Sequence, residues 1–137
     1  VTGLLLEPYD MGAVGAAVGG TAVMLGHTFP ALLGFKGGKG ILSGLFVALV
    51  CDWRISLIIL AVFAISLYIT RYVSLSSILA AAAFCISFAL LHWSEPVVAV
   101  IGVLIGLLAI YMHRSNISRL IKGTESKVHL IHRDLNK

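Results

Sequence analysis

Apolar residues along this chain come in blocks separated by short polar breaks. Five apolar segments can be cut, at about 11–33, 41–53, 55–70, 73–91 and 96–112, followed by a polar tail. A segment that crosses a bilayer perpendicularly needs roughly 20 apolar residues, each rising about 1.5 Å along a helix. Helices are the expected form, because a helix satisfies every backbone polar group internally where no water can. The second segment is short by that measure and reads as a thin or tilted span, or as half of a re-entrant hairpin. The expected fold class is an all-α polytopic membrane protein with about five transmembrane helices. Residues 1–137 read as one integral membrane domain, with 11–112 as its transmembrane core and 113–137 as a basic tail.

Composition agrees with that pattern. Hydrophobic residues make up 59% of the 137 positions and charged residues only 12%, against about 25% in a typical soluble domain. The mean hydropathy is +1.02. The apolar stretch near the start does not read as a signal-peptide core, because Glu7 and Asp10 precede it in place of a basic region. The absence of an initial Met predicts a fragment or a processed chain.

The net charge is +4, and where the cations fall predicts the topology. If all five segments cross, the connection 34–40, the connection at Arg71 and the tail share one side. That side then carries nine of the ten lysines and arginines, leaving only Arg54 opposite. A re-entrant second segment gives a weaker bias, so the positive-inside rule favours five crossings with the glycine-lysine connection and tail in the cytoplasm. Gly15 and Gly19, and Gly102 and Gly106, are spaced as GxxxG, and the run 80–83 is all alanine. Small residues at these spacings let helices approach closely. Cys51 and Cys85 sit in apolar context without a CxxC or a neighbouring histidine pattern, and read as packing residues.

Candidate chemistry gathers on the basic side. GFKGGKG, residues 34–40, places Lys36 and Lys39 among Gly34, Gly37, Gly38 and Gly40. Glycines let backbone N–H groups converge on an anion. A helix starting near Gly40 would add its positive N-terminus. The spacing does not match a Walker loop, because no Ser or Thr follows Lys39. The stretch therefore reads either as a phosphate cradle or as a flexible loop with snorkelling lysines. His27 lies just upstream, near the end of a span, where Pro30 would break the helix. Arg71 and Ser74 share a face if both are helical, and an arginine fork suits phosphate oxygens. His113 and Asn116 are three apart, with Arg119 and Leu120 beyond and Gly123 as a C-terminal cap. Histidine can move a proton and asparagine can orient a substrate oxygen. A basic helix resting on anionic lipids is the plainer alternative. No metal site is expected: His129 and His132 lack a carboxylate or cysteine partner.

Three stretches, GHTFPALLGFKGGKG (26–40), RYVSLSSI (71–78) and HRSNISRLIKGTESK (113–127), resemble the bacterial acyl-phosphate:glycerol-3-phosphate acyltransferases, the PlsY family. The resemblance covers nearly the whole chain from Gly12 to Lys127, with the three stretches in family order. It implies a multi-span enzyme of the bacterial inner membrane, active site facing the cytoplasm. Such an enzyme moves a fatty acyl group from acyl phosphate to the 1-hydroxyl of glycerol 3-phosphate in phospholipid biosynthesis. The implied partners are acyl phosphate, glycerol 3-phosphate and membrane lipids, with no cofactor, no metal and no nucleic acid. Carried over by position, His113, Asn116 and Lys39 would be catalytic. His27, Lys36, Gly37, Gly38, Lys39, Gly40, Arg71 and Ser74 would bind substrate phosphate or line its pocket. Gly26, Pro30 and Glu125 would be structural. An SGNxGxTN-type motif and about two of the family's roughly seven spans are missing here, which implies a chain without the family's N-terminal part. The rival reading is a membrane anion or phosphate transporter, or a channel subunit, gated by the basic loop. It is disfavoured because transporters place polar groups near the midplane.

Overall fold

The computed structural model describes residues 12–28 and 39–128. The described residues form six α-helices: α1 Gly12–Thr28, α2 Ile41–Cys51, α3 Trp53–Thr70, α4 Val73–Leu91, α5 Pro96–Met112 and α6 Arg114–Ile121. The last two long segments fall where the apolar pattern puts them. The second and third meet earlier than expected, for a local reason. The Asp52 backbone N–H closes α2 on the Ala48 carbonyl, at 2.7 Å. Its side chain accepts from the Arg54 N–H at 2.9 Å and caps α3. One residue thus ends one helix and begins the next, so Trp53 belongs to α3. Pro96 opens α5 at a position where its missing N–H is harmless.

Helices α3 and α4 are each long and apolar enough to cross a membrane, and α5 with α6 meets the same test across a 53° bend. Helices α1 and α2 are apolar but shorter. Successive helices run up and down, and side chains record the alternation. Ser56 of α3 reaches back to the Leu45 carbonyl of α2. His92, in the α4–α5 connection, lies beside Asp52, in the α2–α3 connection, with Nε2 3.6 Å from Oδ2. Arg54 grips the same carboxylate with two nitrogens, the shorter contact 2.6 Å. That hydrogen-bonded arginine holds Asp52 below the usual carboxylate range. His92 Nδ1 meets Glu95 at 3.2 Å. This ionic clasp marks one end of the bundle, and Lys39, Ser74 and His113 meet at the other.

Helix α4 is central, packed between α3 and α5, while α1 lies on α2 and α5. Ile55 of α3, Phe88 of α4 and Val98 of α5 are among the fully buried core residues of the bundle. The α4–α5 contact depends on Gly102 and Gly106: a Cβ on Gly102 would overlap the Phe88 ring, and one on Gly106 would overlap Cys85 Sγ. The expected small-residue packing is present there. Large apolar side chains such as Val50, Tyr68, Ile69, Leu90 and Leu104 instead face outward. That surface suits a hydrocarbon solvent. The hydroxyls of Thr21, Ser66 and Ser76 bond to carbonyls one turn back, so they stay satisfied inside the bundle.

Candidate active site

At the end opposite the ionic clasp, α2, α3, α4, the α5–α6 bend, α6 and the segment after it line a polar cavity of about 450 Å³. Its polar walls include Lys39, Ser74, Ser77, His113, Asn116 and Glu125. Each position has a local cause. Gly40 stands at the N-terminus of α2 with φ 76°, a left-handed backbone that a glycine adopts without strain. That turn lets Lys39 sit directly before the helix, beside its first N–H groups, which no N-cap side chain satisfies among the described residues. Ser74 and Ser77 are three apart on α4 and share a face. The bend between α5 and α6 falls at His113, so His113 and Asn116 both turn inward, 2% and 3% exposed.

Beyond α6 the chain folds back. Gly123 adopts φ 67° just past the helix, as the C-cap pattern predicts. The Thr124 N–H then bonds the Arg119 carbonyl, and the Val128 N–H bonds the Arg71 carbonyl at 2.8 Å. Lys127 lies over the Tyr72 ring, 5.2 Å from its centroid. Residues 124–128 therefore form a strap, tied at both ends, that closes one wall of the cavity. From it Glu125 reaches inward: Asn116 Nδ2 donates to Oε1 at 2.8 Å, and Arg119 Nε donates to Oε2 at 2.5 Å. The Asn116 hydrogen bond, then the nearby Ser74 hydroxyl and Arg119, hold the Glu125 carboxyl down to about 2. Ser74 Oγ, although close enough to contribute, makes no hydrogen bond of good geometry among the described residues, and Asn116 Oδ1 has no partner there either.

His113 has one settled nitrogen. Its Nδ1 lies 2.8 Å from the Ala109 carbonyl, which can only accept, so Nδ1 carries the proton. Nε2 is then the basic nitrogen of a neutral ring. Burial is the main force pushing His113 below the ordinary imidazole range, with the Lys39 charge in the same direction; the Ala109 bond and Glu125 offset part of this.

A second, apolar cavity of about 320 Å³ adjoins the first, between α1, α2, α3, α4 and α5. Met24, Leu45, Ile59, Phe84 and Ile105 are among its walls. Ile41 and Phe63 line both cavities.

The structure thus brings together Lys39, Gly40, Ser74, His113, Asn116 and Glu125. It does not bring in two other expected site residues. Arg71 lies outside the helix, at φ 60° where α3 ends, so it does not share a helical face with Ser74. Its side chain is exposed, and its carbonyl serves the strap. His27 is exposed in the last turn of α1 and does not line the polar cavity, and Gly26 beside it faces open space. Pro30, Lys36, Gly37 and Gly38 lie outside the described residues. Ser77 was not singled out from sequence, although its spacing from Ser74 marks the same face. The inward reach of Glu125 depends on the strap, which has no local sequence signal.

The family profile described as glycerol-3-phosphate acyltransferase matches residues 3–123. A Thermoanaerobacter sp. (strain X514) protein named glycerol-3-phosphate acyltransferase is 39% identical over 128 residues, covering 93% of this chain and 64% of that protein. A Fusobacterium nucleatum protein of the same name is 43% identical over 108 residues, covering 79% of this chain and 55% of its own length. This chain therefore spans less than two thirds of either relative. Two crystal structures of PlsY (YgiH), described as an integral membrane glycerol 3-phosphate acyltransferase, superpose on it. The glycerol 3-phosphate form gives a TM-score of 0.78 at 33% identity, over 91% of this chain and 63% of that one. The lysophosphatidic acid form gives 0.79 at 34% identity, over 91% and 64%.

Proposed function

Because this chain belongs to the glycerol-3-phosphate acyltransferase family, we propose that it transfers a fatty acyl group from acyl phosphate to the 1-hydroxyl of glycerol 3-phosphate. The products are lysophosphatidic acid and inorganic phosphate. The observation that carries this reading is the pair of adjoining cavities, one polar and one apolar, sharing Ile41 and Phe63 at one end of the bundle. A substrate with an anionic head and a long acyl chain needs such a pair of compartments side by side. The site works in the bacterial inner membrane with the polar cavity open to the cytoplasm, in keeping with the cation bias.

The chemistry follows from the groups at hand. Lys39 and the first N–H groups of α2 draw in phosphate oxygens and relieve the repulsion between two anionic substrates. The acyl chain lies in the apolar cavity, which holds the carbonyl carbon near the polar boundary. The glycerol hydroxyl oxygen attacks that carbon, and the bond from carbon to the bridging phosphate oxygen breaks. Phosphate leaves with the bonding electron pair. His113 Nε2 takes the hydroxyl proton and returns it to the departing phosphate. An acyl phosphate is already activated, so no covalent enzyme intermediate is needed; most of the acceleration comes from positioning and charge. A transporter needs polar groups along a path through the middle of the bundle, whereas the cavity between these helices is apolar.

The test is release of phosphate from palmitoyl phosphate by the purified protein in detergent, with and without glycerol 3-phosphate. Release that depends on glycerol 3-phosphate, with lysophosphatidic acid formed in equal amount, is the expected result. Movement of glycerol 3-phosphate across liposomes without turnover would overturn the reading.

A further inference from the structure

A glycine inside a helix weakens it relative to alanine, so its presence needs a reason. Close approach is the reason at three positions. A Cβ would crowd Val47 from Gly20, the Phe88 ring from Gly102 and Cys85 Sγ from Gly106. Gly44 of α2 has no such reason: a Cβ built there meets nothing within 4 Å among the described residues. Nor does its backbone demand glycine, because its φ is not positive and its N–H makes an ordinary helical bond to the Gly40 carbonyl at 2.8 Å. Gly26 also meets open space, but it is exposed. Gly44 instead points into the bundle. Val47 and Ala48, one turn further along, share its face and are 4% and 0% exposed. Leu42, Phe46 and Leu49 lie on the exposed face. Gly44 is also a wall of the apolar cavity. The side chain it lacks is therefore part of that cavity's volume.

We propose that Gly44 is a specificity-determining residue that keeps the apolar cavity open to long acyl chains. This rests on the acyltransferase reading above. In that reading the carbonyl end of the donor lies at the wall shared through Ile41 and Phe63. Gly44 is three residues beyond Ile41 on α2, about 4.5 Å deeper along the helix axis. An acyl chain long enough to pass that level runs against the bare Gly44 backbone, and a chain of a few carbons stops short of it. Other small wall residues cannot play this part. Gly106 and Ala81 are held by the α4–α5 contact, where an added carbon would come 3.1 Å from the Ala81 carbonyl. At Gly44 a side chain can begin without a clash, so its size is free to set what the cavity admits.

Gly44→Leu fills the position, and Gly44→Ala adds only the Cβ. The readout is the ratio of kcat/KM for palmitoyl phosphate to that for butyryl phosphate, from phosphate release at saturating glycerol 3-phosphate. Variant and wild type are assayed at one detergent concentration, so the partition of palmitoyl phosphate is common to both and cancels. Wild-type release that depends on glycerol 3-phosphate tests the acyltransferase reading independently. The rise in Tm that palmitoyl phosphate gives each protein makes the comparison without turnover.

The expected result is a ratio about tenfold lower or more in Gly44→Leu, with KM for glycerol 3-phosphate unchanged and the protection by palmitoyl phosphate reduced. Gly44→Ala should have a higher Tm than wild type, because it gains helix propensity where nothing is in the way. If Gly44→Leu does not fold, Gly44→Val carries the same comparison. An unchanged ratio in the folded Leu or Val variant, an equal loss with both donors, undiminished protection by palmitoyl phosphate, or a lower Tm in Gly44→Ala overturns the proposal.

Discussion

Replacing Gly106 with alanine tests the packing that joins α4 to α5 and forms one wall of the apolar cavity. A Cβ built at this position falls inside the contact distance of Cys85 Sγ and lies 3.1 Å from the Ala81 carbonyl and 3.3 Å from Phe84 Cδ1. These neighbours do not yield equally. The thiol can rotate away, at the loss of its weak bond to the Val103 carbonyl at 3.6 Å. The Ala81 carbonyl is backbone, and moving it means moving α4. Inserting one carbon into such a contact costs about 1–3 kcal/mol. A thermal unfolding curve in detergent should lose several degrees for Gly106→Ala. Cys85→Ala removes the worst overlap, so the double variant should be more stable than the two single changes predict by addition, by about 1 kcal/mol. A Gly106→Ala protein with unchanged Tm, or a strictly additive cycle, would refute the close approach described here.

Three further outcomes are expected. His113→Gln should lower kcat about 10²- to 10⁴-fold while changing the KM values little, as read from steady-state phosphate release. In the wild-type enzyme kcat should fall on acidification with a midpoint below the unperturbed 6.5, because burial holds His113 below that value. The same shift means the unfolded state binds its proton first, so stability should fall as pH drops through about 6.5, and Tm against pH for wild type and His113→Gln checks this. Lys39→Ala should raise KM for the phosphate-bearing substrates roughly tenfold, the modest size reflecting an exposed lysine; unchanged kinetics would remove it from the site. Asp52→Ala should cost about 0.5–2 kcal/mol of stability through the lost cap and leave kcat and KM alone, because the ionic clasp sits at the far end of the bundle; a KM change would argue against that separation.

Much of this was legible in the chain. The block pattern places α4 and α5 at their observed ends, because Tyr72, Pro96 and the polar step at His113 interrupt an otherwise continuous apolar signal. The gathering of Lys39, Ser74 and His113 at one end follows from counting crossings. Gly102 and Gly106 announced a close approach, although only the structure identifies Phe88 and Cys85 as what occupies the vacated space. Arg71 does not share a helical face with Ser74, because the left-handed turn at Arg71 separates them; a non-glycine residue in that conformation has no reliable sequence mark. The strap escaped for a different reason. A backbone bond from Val128 to Arg71 joins positions far apart in sequence and uses no side chain, so no residue type advertises it. With it went the inward reach of Glu125, and hence the orientation of Asn116.

The wall shared through Ile41 and Phe63 bears on how this protein must be assayed. On the proposed acyl transfer, a donor whose tail lies among the helices is drawn from the lipid or detergent phase, so the quantity that saturates its cavity is a mole fraction in that phase and not a molar concentration. Adding empty micelles at constant total palmitoyl phosphate thins the donor around each protein and slows turnover, while the response to glycerol 3-phosphate, dissolved in water, stays where it was. Michaelis constants for the two substrates therefore belong to different scales. Only the donor's constant should move when the amount of detergent changes.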